Sequence, residues 1–323
     1  MSQHPSRIVL EVAARTHVGI KRVDNEDRIM VADLEAAAAH VGGFTGRLEV
    51  ASGGALLAVC DGMGGEAGGE IASTAAMESL YRTAVDSLPG QSPSGVARGL
   101  LSAVQTASRD IETLAQQRVE LSRMGTTATV CAVSGGTLLV AQVGDSRAYL
   151  LRGEQLVQLT RDQTLATLLL ERGQLTPDQL DSFEFSHVIL QALGHAGGVD
   201  VDLGELQLAD GDVLLVCSDG LHGVVDDAHL TTTLRAFPPS RACDELVQLA
   251  LEAGAPDNVS CLVARVSGGL PRLKANPRLD KVVLPPAPLP EQRSSAPATE
   301  PPPTDEASAP EGSFARLRAF FQV

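Results

Sequence analysis

Four aspartates stand where apolar runs meet turns. The run Leu56-Leu57-Ala58-Val59-Cys60 closes on Asp61-Gly62-Met63-Gly64-Gly65, and Val213-Leu214-Leu215-Val216-Cys217 closes on Ser218-Asp219-Gly220. A third run, from Leu138 to Val143, ends at Gly144-Asp145, and Asp257-Asn258 immediately precedes the apolar stretch from Val259 to Val266. A short continuous apolar run bounded by glycine reads as a strand buried on both faces, so each run presents its carboxylate at a strand end. If these strands share a core, the ends can converge. Converging anions repel one another and resist desolvation unless a cation sits among them. Oxygen donors with no His or Cys partner select magnesium, manganese or calcium over zinc.

A second acid source lies near the N-terminus. Arg15 to Arg28 contains the turn-forming pair Asp24-Asn25, the adjacent carboxylates Glu26 and Asp27, and the cations Lys21 and Arg22, just before the apolar Ile29-Met30-Val31. The Ala/Gly-rich interval from Leu34 to Gly54 reads as a hairpin-like connection into the strand that ends at Asp61. The two acid sources are therefore neighbours in the chain.

The elements that must position these groups are legible from periodicity. Gly68 to Val85, Pro93 to Val119 and Arg241 to Ala253 carry apolar residues at helical spacing, which predicts long helices covering the sheets. Leu156 to Leu159 reads as the second half of a hairpin turning at Gly153. Leu165, Leu168, Leu169 and Arg172 have helical spacing before a turn at Gly173, and Thr176-Pro177-Asp178 starts a second helix.

The 323 residues favour one large domain over 7–267 followed by a tail over 268–323. That tail is rich in Pro, Ala and Ser, with clusters at Pro285-Pro286 and Pro301-Pro302-Pro303, and reads as a disordered or polyproline linker. Its tip, Ser313 to Val323, gathers three phenylalanines on roughly one helical face and is expected to be either disordered or docked on a partner or the protein's own body. The formal net charge of -15 resides in the body, because the tail is nearly balanced. Such an acidic surface disfavours nucleic acid and anionic membrane. Neither a signal peptide nor an apolar span of membrane length is evident, which points to the cytoplasm. The five cysteines are odd in number, and four lie in apolar runs, as reduced, buried residues do. None has Arg six positions later, so a Cys-nucleophile phosphate site is excluded.

Arg22-Val23-Asp24-Asn25-Glu26-Asp27, Asp61-Gly62-Met63-Gly64-Gly65, Met124-Gly125-Thr126-Thr127, Gly144-Asp145-Ser146-Arg147, Thr160-Arg161-Asp162, Ala192-Leu193-Gly194, Ser218-Asp219-Gly220-Leu221 and Asp257-Asn258-Val259-Ser260 follow in that order. Together they resemble the PPM family of metal-dependent protein serine/threonine phosphatases, the protein phosphatase 2C group, in its bacterial branch. The resemblance covers residues 7–267. It implies an α+β fold, a four-layer α-β-β-α sandwich with two central, mostly antiparallel sheets flanked by helices. By the same resemblance Asp61, Asp219 and Asp257 hold one Mn or Mg ion, while Glu26, Asp61 and the Gly62 carbonyl border a second, so that Asp61 bridges them. Asp145, with Asp219, matches the holder of a weaker third ion. Asp27 matches the carboxylate that orients water, and Arg22 the guanidinium that grips phosphate, as a planar fork of donors suits.

The implied activity is hydrolysis of phosphoserine and phosphothreonine in proteins, opposing a serine/threonine kinase. A regulatory phosphoprotein-binding module with weak activity and a phosphatase of a small phosphate ester are the alternatives. The chain departs from the family pattern at Met63, where animal members carry His. It also has Gln163 where bacterial relatives have His after Thr-x-Asp, and Leu190-Gln191 where they tend to have Thr-Arg. Residues 164–186 match the variable flap over the site. His187 and His222 lie near the matched motifs, and Arg147 is expected to be a structural ion-pair partner.

Overall fold

A computed structural model describes residues 8–50, 53–65, 68–180, 183–273 and 276–284. The strands in chain order are β1 (Ile8–His17), β2 (Arg28–Asp33), β3 (Ala38–Val41), β4 (Phe44–Val50), β5 (Ala55–Cys60), β6 (Gly62–Met63), β7 (Gly125–Thr126), β8 (Ala128–Ser134), β9 (Thr137–Val143), β10 (Arg147–Arg152), β11 (Gln155–Gln158), β12 (Asp202–Gln207), β13 (Val213–Cys217), β14 (Val259–Ser267) and β15 (Asp280–Lys281). The helices are α1 (Gly68–Ser87), α2 (Pro93–Gln117), α3 (Leu165–Glu171), α4 (Pro177–Leu180), α5 (Asp219–His222), α6 (Asp227–Ala236) and α7 (Pro239–Glu252).

One sheet runs β11-β10-β13-β14-β1-β4 and the other β15-β12-β9-β8-β5-β2-β3, with antiparallel pairing between neighbours. Alternation along β1 shows why two sheets stack. Leu10, Val12 and Ala14 point into a core shared with Ile29, Val31, Leu57, Val59 and Val140 of the other sheet. Ala13, one residue out of step, faces a second core built with Leu230, Leu234, Leu246 and Ala250 of α6 and α7. Helices α1 and α2 pack together over the second sheet, completing the four layers. The core strands of both sheets are buried on both faces, as their unbroken apolar runs require.

The three long helices, the turn at Gly153 and the two flap helices lie where periodicity puts them. Helix α2 opens at Ser92, whose hydroxyl accepts the Gly95 N–H, with Pro93 at the first helical position. All five cysteines are buried and free. Among the described residues no helix is long and apolar enough to cross a membrane.

Two expectations change. The interval from Leu34 to Gly54 is not a hairpin: β3 pairs with β2 in one sheet, while β4 pairs with β1 in the other. The chain crosses between layers at Gly42-Gly43. The boundary at 267/268 also moves, because the first compact unit runs to Val282. Leu270 and Leu279 pack against the inter-sheet core. Asp210 donates its N–H to the Pro271 carbonyl, and β15 pairs with the edge strand β12. A free edge strand invites pairing, and this short segment covers it. The polyproline clusters and the phenylalanine-rich tip lie outside the described residues.

Candidate metal and phosphate site

The loop from Val18 to Asp27 is fixed before any of its acids can act. Asn258, at the entry to β14, donates from its amide to the carbonyls of Val18 and Asp24, both at 2.9 Å, and accepts the Glu26 N–H at 2.8 Å. Asn25 ties the loop to Thr16, donating to its hydroxyl at 2.7 Å. Gly19 sits at φ +80°, and a Cβ there would lie 2.1 Å from the Asp257 carbonyl, so the backbones meet where only glycine fits. This apposition places Arg22 beside Asp257, Nη2 to Oδ2 at 2.7 Å. Sequence reading named Asn258 only as part of a motif; its spacing from Asp257 signals nothing about the loop it clips from more than 230 residues away.

Asp61 leaves β5 into a turn held by the Met124-Gly125-Thr126-Thr127 motif. The Thr127 hydroxyl accepts the Asp61 N–H at 2.9 Å, and the Asp61 carbonyl accepts both the Thr126 hydroxyl and the Thr127 N–H at 2.8 Å. Gly62 pairs with Thr126 across β6 and β7, and a Cβ on it would lie 2.1 Å from the Gly69 carbonyl. Asp219 begins α5 after Ser218, whose hydroxyl donates to Asp27 Oδ2 at 2.7 Å. On the far side the Thr127 and Ser146 hydroxyls are 2.8 Å apart, bracing the Asp145 loop.

The carboxyls sit within one another's fields. Asp61 is held well above the usual carboxylate range, first by burial and then by the charges of Asp27, Asp219, Asp145 and Asp257. Burial and the charge of Asp257 raise Asp219, while hydrogen bonding with Asp61 pulls it back. Asp27 is raised by burial against the hydroxyls of Ser260 and Ser218. Burial together with Asp219 and Asp162 pushes Asp145 up to about 7. Glu26 is raised by burial despite the opposing charge of Arg22. All six expected carboxylates and Arg22 thus converge.

The fit to a cation rests on unpaired oxygens. Among the described residues, the buried side-chain oxygens without a hydrogen-bond partner are Glu26 Oε1, Asp27 Oδ1, Asp145 Oδ1 and Asp219 Oδ1, and all four belong to this cluster. Outside the cluster, the one other buried side-chain polar atom without a partner among the described residues is a nitrogen, Arg265 Nε. No group of three or more His, Cys, Asp or Glu side chains among the described residues is already drawn into a cage. Asp257 instead turns to Arg22. An all-oxygen set with unpaired anionic atoms suits a hard divalent ion.

Both histidines prove separable. His222 Nε2 donates to the Asp145 carbonyl at 3.0 Å, and burial lowers its pKa to about 4, so it is a neutral prop rather than an acid at physiological pH. His187 lies close enough to Asp219 for its charge to lower that carboxyl. Arg147 forms the expected structural pair with Asp162, Nη2 to Oδ2 at 2.6 Å, and also donates to the Tyr149 hydroxyl.

The family model described as Protein phosphatase 2C matches residues 45–253. The chain belongs to the protein phosphatase 2C family. That match contains Asp61, Asp145 and Asp219; Arg22, Glu26, Asp27 and Asp257 lie outside it and join the site through the fold. The chain is 34% identical over 261 residues to the serine/threonine protein phosphatase PstP of Mycobacterium tuberculosis, covering 80% of this chain and 45% of that one. It therefore spans about half the length of that relative. It is 31% identical over 259 residues to the protein phosphatase PhpP of Streptococcus pneumoniae, covering 80% of this chain and 97% of that one. Among solved structures, the PstP catalytic domain in complex with two manganese ions is similar, with a TM-score of 0.67 and 33% identity over 80% of this chain and 99% of that one. The phosphatase MsPP of Mycobacterium smegmatis, in complex with cacodylate, gives a TM-score of 0.63 at 30% identity over 79% and 98% of the two chains.

Proposed function

We propose that this protein phosphatase 2C member hydrolyses phosphoserine and phosphothreonine in proteins, in opposition to a serine/threonine kinase. The observation that carries the reading is the confinement of unpaired buried oxygens to one acidic cluster beside Arg22. Asp61 is the shared ligand in this reading, with Asp219 and Asp257 on one side and Glu26 and the Gly62 carbonyl on the other. Asp145 with Asp219 forms a weaker third position. When bound, Mn or Mg lowers the pKa of water and offsets charge on the phosphate oxygens.

The chain's own groups do the rest. Arg22, half-exposed and already oriented by Asp257, presents its guanidinium to the phosphate oxygens. Asp27, fixed through Oδ2 by Ser218, keeps Oδ1 free to accept a hydrogen bond from the attacking water. A thiol nucleophile is disfavoured, because burial pushes Cys131 up to about 12 and raises Cys60 and Cys217 further.

Purified protein assayed on p-nitrophenyl phosphate should turn over with Mn2+ and stop with EDTA, and a phosphopeptide panel should show preference for phosphoserine and phosphothreonine. D219N should abolish the metal-dependent turnover while leaving the circular dichroism spectrum intact. Retention of phosphoproteins without turnover would point to the binding-module reading. Turnover confined to small esters would point to the small-ester reading.

A further inference from the structure

Gln163 is buried where the flap leaves the body, and each polar atom of its side chain and backbone has a partner. Its Oε1 accepts the Gly144 N–H at 2.9 Å, and its backbone N–H donates to the Gly144 carbonyl at 2.9 Å. Its Nε2 donates to the Asp200 carbonyl at 3.3 Å and to Asp202 Oδ2 at 3.2 Å. Its own carbonyl accepts the Leu190 N–H at 2.8 Å. One residue therefore grips the peptide immediately before Asp145 on one side, and on the other Leu190, just beyond the flap, Asp200 and the first residue of β12. Lys281 Nζ stands 3.9 Å from Asp202 Oδ1, so the covering strand β15 borders the same carboxylate.

Other groups complete the grip. Gln142 Nε2 donates to the carbonyls of Gly144 at 3.0 Å and Ser146 at 2.7 Å, and His222 holds the Asp145 carbonyl. The backbone around Asp145 is thus pinned at Gly144, Asp145 and Ser146, while Asp145 Oδ1 is left buried and unpaired. Of these pins, Gln163 is the one that also reaches Leu190, beyond the flap, and the entry to β12.

We propose that Gln163 is a positioning residue: its side-chain amide couples the entry to β12, at Asp200 and Asp202, to the loop that aims the Asp145 carboxylate. The inference rests on the metal-site reading given above. A carboxamide suits the task because it accepts from Gly144 and donates to Asp202 at once. Partners that orient metal ligands commonly alter metal affinity by about 10–100-fold when removed.

Three full-length variants test it: Q163L, which removes both functions; Q163E, which keeps the acceptor but sets a carboxylate against Asp202; and Q163E/D202N, which moves the donor to position 202. Amide hydrogen exchange over Gly144 to Ser146 is measured in the metal-free protein, and Mn2+ affinity by calorimetry and by the Mn2+ dependence of p-nitrophenyl phosphate turnover. Q163L and Q163E should speed exchange at these amides about tenfold or more while α7 stays protected. They should also raise the Mn2+ concentration for half-maximal turnover about tenfold, with KM for the ester little changed. The double variant should return toward wild type in both readouts. Unchanged exchange and Mn2+ dependence in folded variants would overturn the proposal. So would a double variant no better than Q163E, or a loss of protection spread over the whole molecule. If Q163L does not fold, the Q163E and double-variant pair decides. A wild-type protein without Mn2+-dependent turnover would defeat the metal-site reading, and the exchange arm would still decide whether Gln163 holds the Asp145 loop.

Discussion

Replacing Asp145 by Asn should stabilise the metal-free protein, and the gain should grow with pH. Asp145 is nearly inaccessible, its Oδ1 has no partner, and burial with the charges of Asp219 and Asp162 raises it from 3.8 to about 7. A carboxyl with a raised folded-state pKa keeps its proton in the native state after the unfolded chain has released it, so stability falls as pH climbs from about 4 through 7. At about 1.4 kcal/mol per pKa unit, the penalty is on the order of 1–2 kcal/mol at pH 5 and levels off near ~4 kcal/mol above pH 7. Asparagine does not ionise and escapes this slope. Urea unfolding in EDTA at pH 5 and pH 8 should therefore show D145N gaining about 2 kcal/mol relative to wild type between the two conditions, with an unchanged m-value. Saturating Mn2+ should narrow the D145N advantage at pH 8, since a ligand at 100 times its dissociation constant adds about 2.7 kcal/mol to the protein that binds it. Equal D145N effects at pH 5 and pH 8 would refute the claim that Asp145 is strained by desolvation and its neighbours.

Three further outcomes follow from the geometry. R22K keeps the charge but loses the planar fork, and kcat/KM on a phosphopeptide should fall about 10–100-fold; an unchanged value would remove Arg22 from phosphate binding. D212A leaves Arg152 buried without the carboxylate it meets at 2.7 Å and 2.8 Å, far from the acidic cluster. Chemical denaturation should show a loss of about 3–5 kcal/mol, with the Mn2+ dependence of turnover retained. Truncation after Val282 should leave the melting temperature and any Mn2+-dependent turnover of the protein unchanged, whereas truncation after Ser267 should lower the melting temperature by several degrees by uncovering Leu270 and Leu279. Equal melting temperatures for the two truncations would contradict the role assigned to the covering strand.

The local pattern of the chain carried a good deal. Unbroken apolar runs that close on a Gly-flanked or Ser-flanked aspartate read as buried strands presenting an acid at an edge, so Asp61, Asp145 and Asp219 were readable as strand-end acids from their positions, while the ion each would hold came only from the family resemblance. The long helices were equally plain, because the apolar stripes of α2 and α7 have helical period and each opens with proline at its first turn. Which sheet a strand joins is not written in its own residues. β3 and β4 look like a hairpin, yet each finds its partner in a different layer, because pairing depends on the edge available and not on the connecting Gly42-Gly43. The docking of Leu270 and of residues 276–282 was hidden for a similar reason: the composition after Ser267 is that of a linker, and only the exposed edge of β12 and the gap beside Gly204 give Leu279 somewhere to go.

The sequence by itself determined the acids, their type and therefore the hardness of the ion they suit, since side-chain chemistry is local. The tertiary structure alone decided that Asn258 clips the Arg22 loop, that His222 is a neutral prop, and that Gln163 links the entry to β12 with the Asp145 loop. These roles depend on contacts between segments tens to hundreds of residues apart, and such contacts leave no periodic trace in the chain.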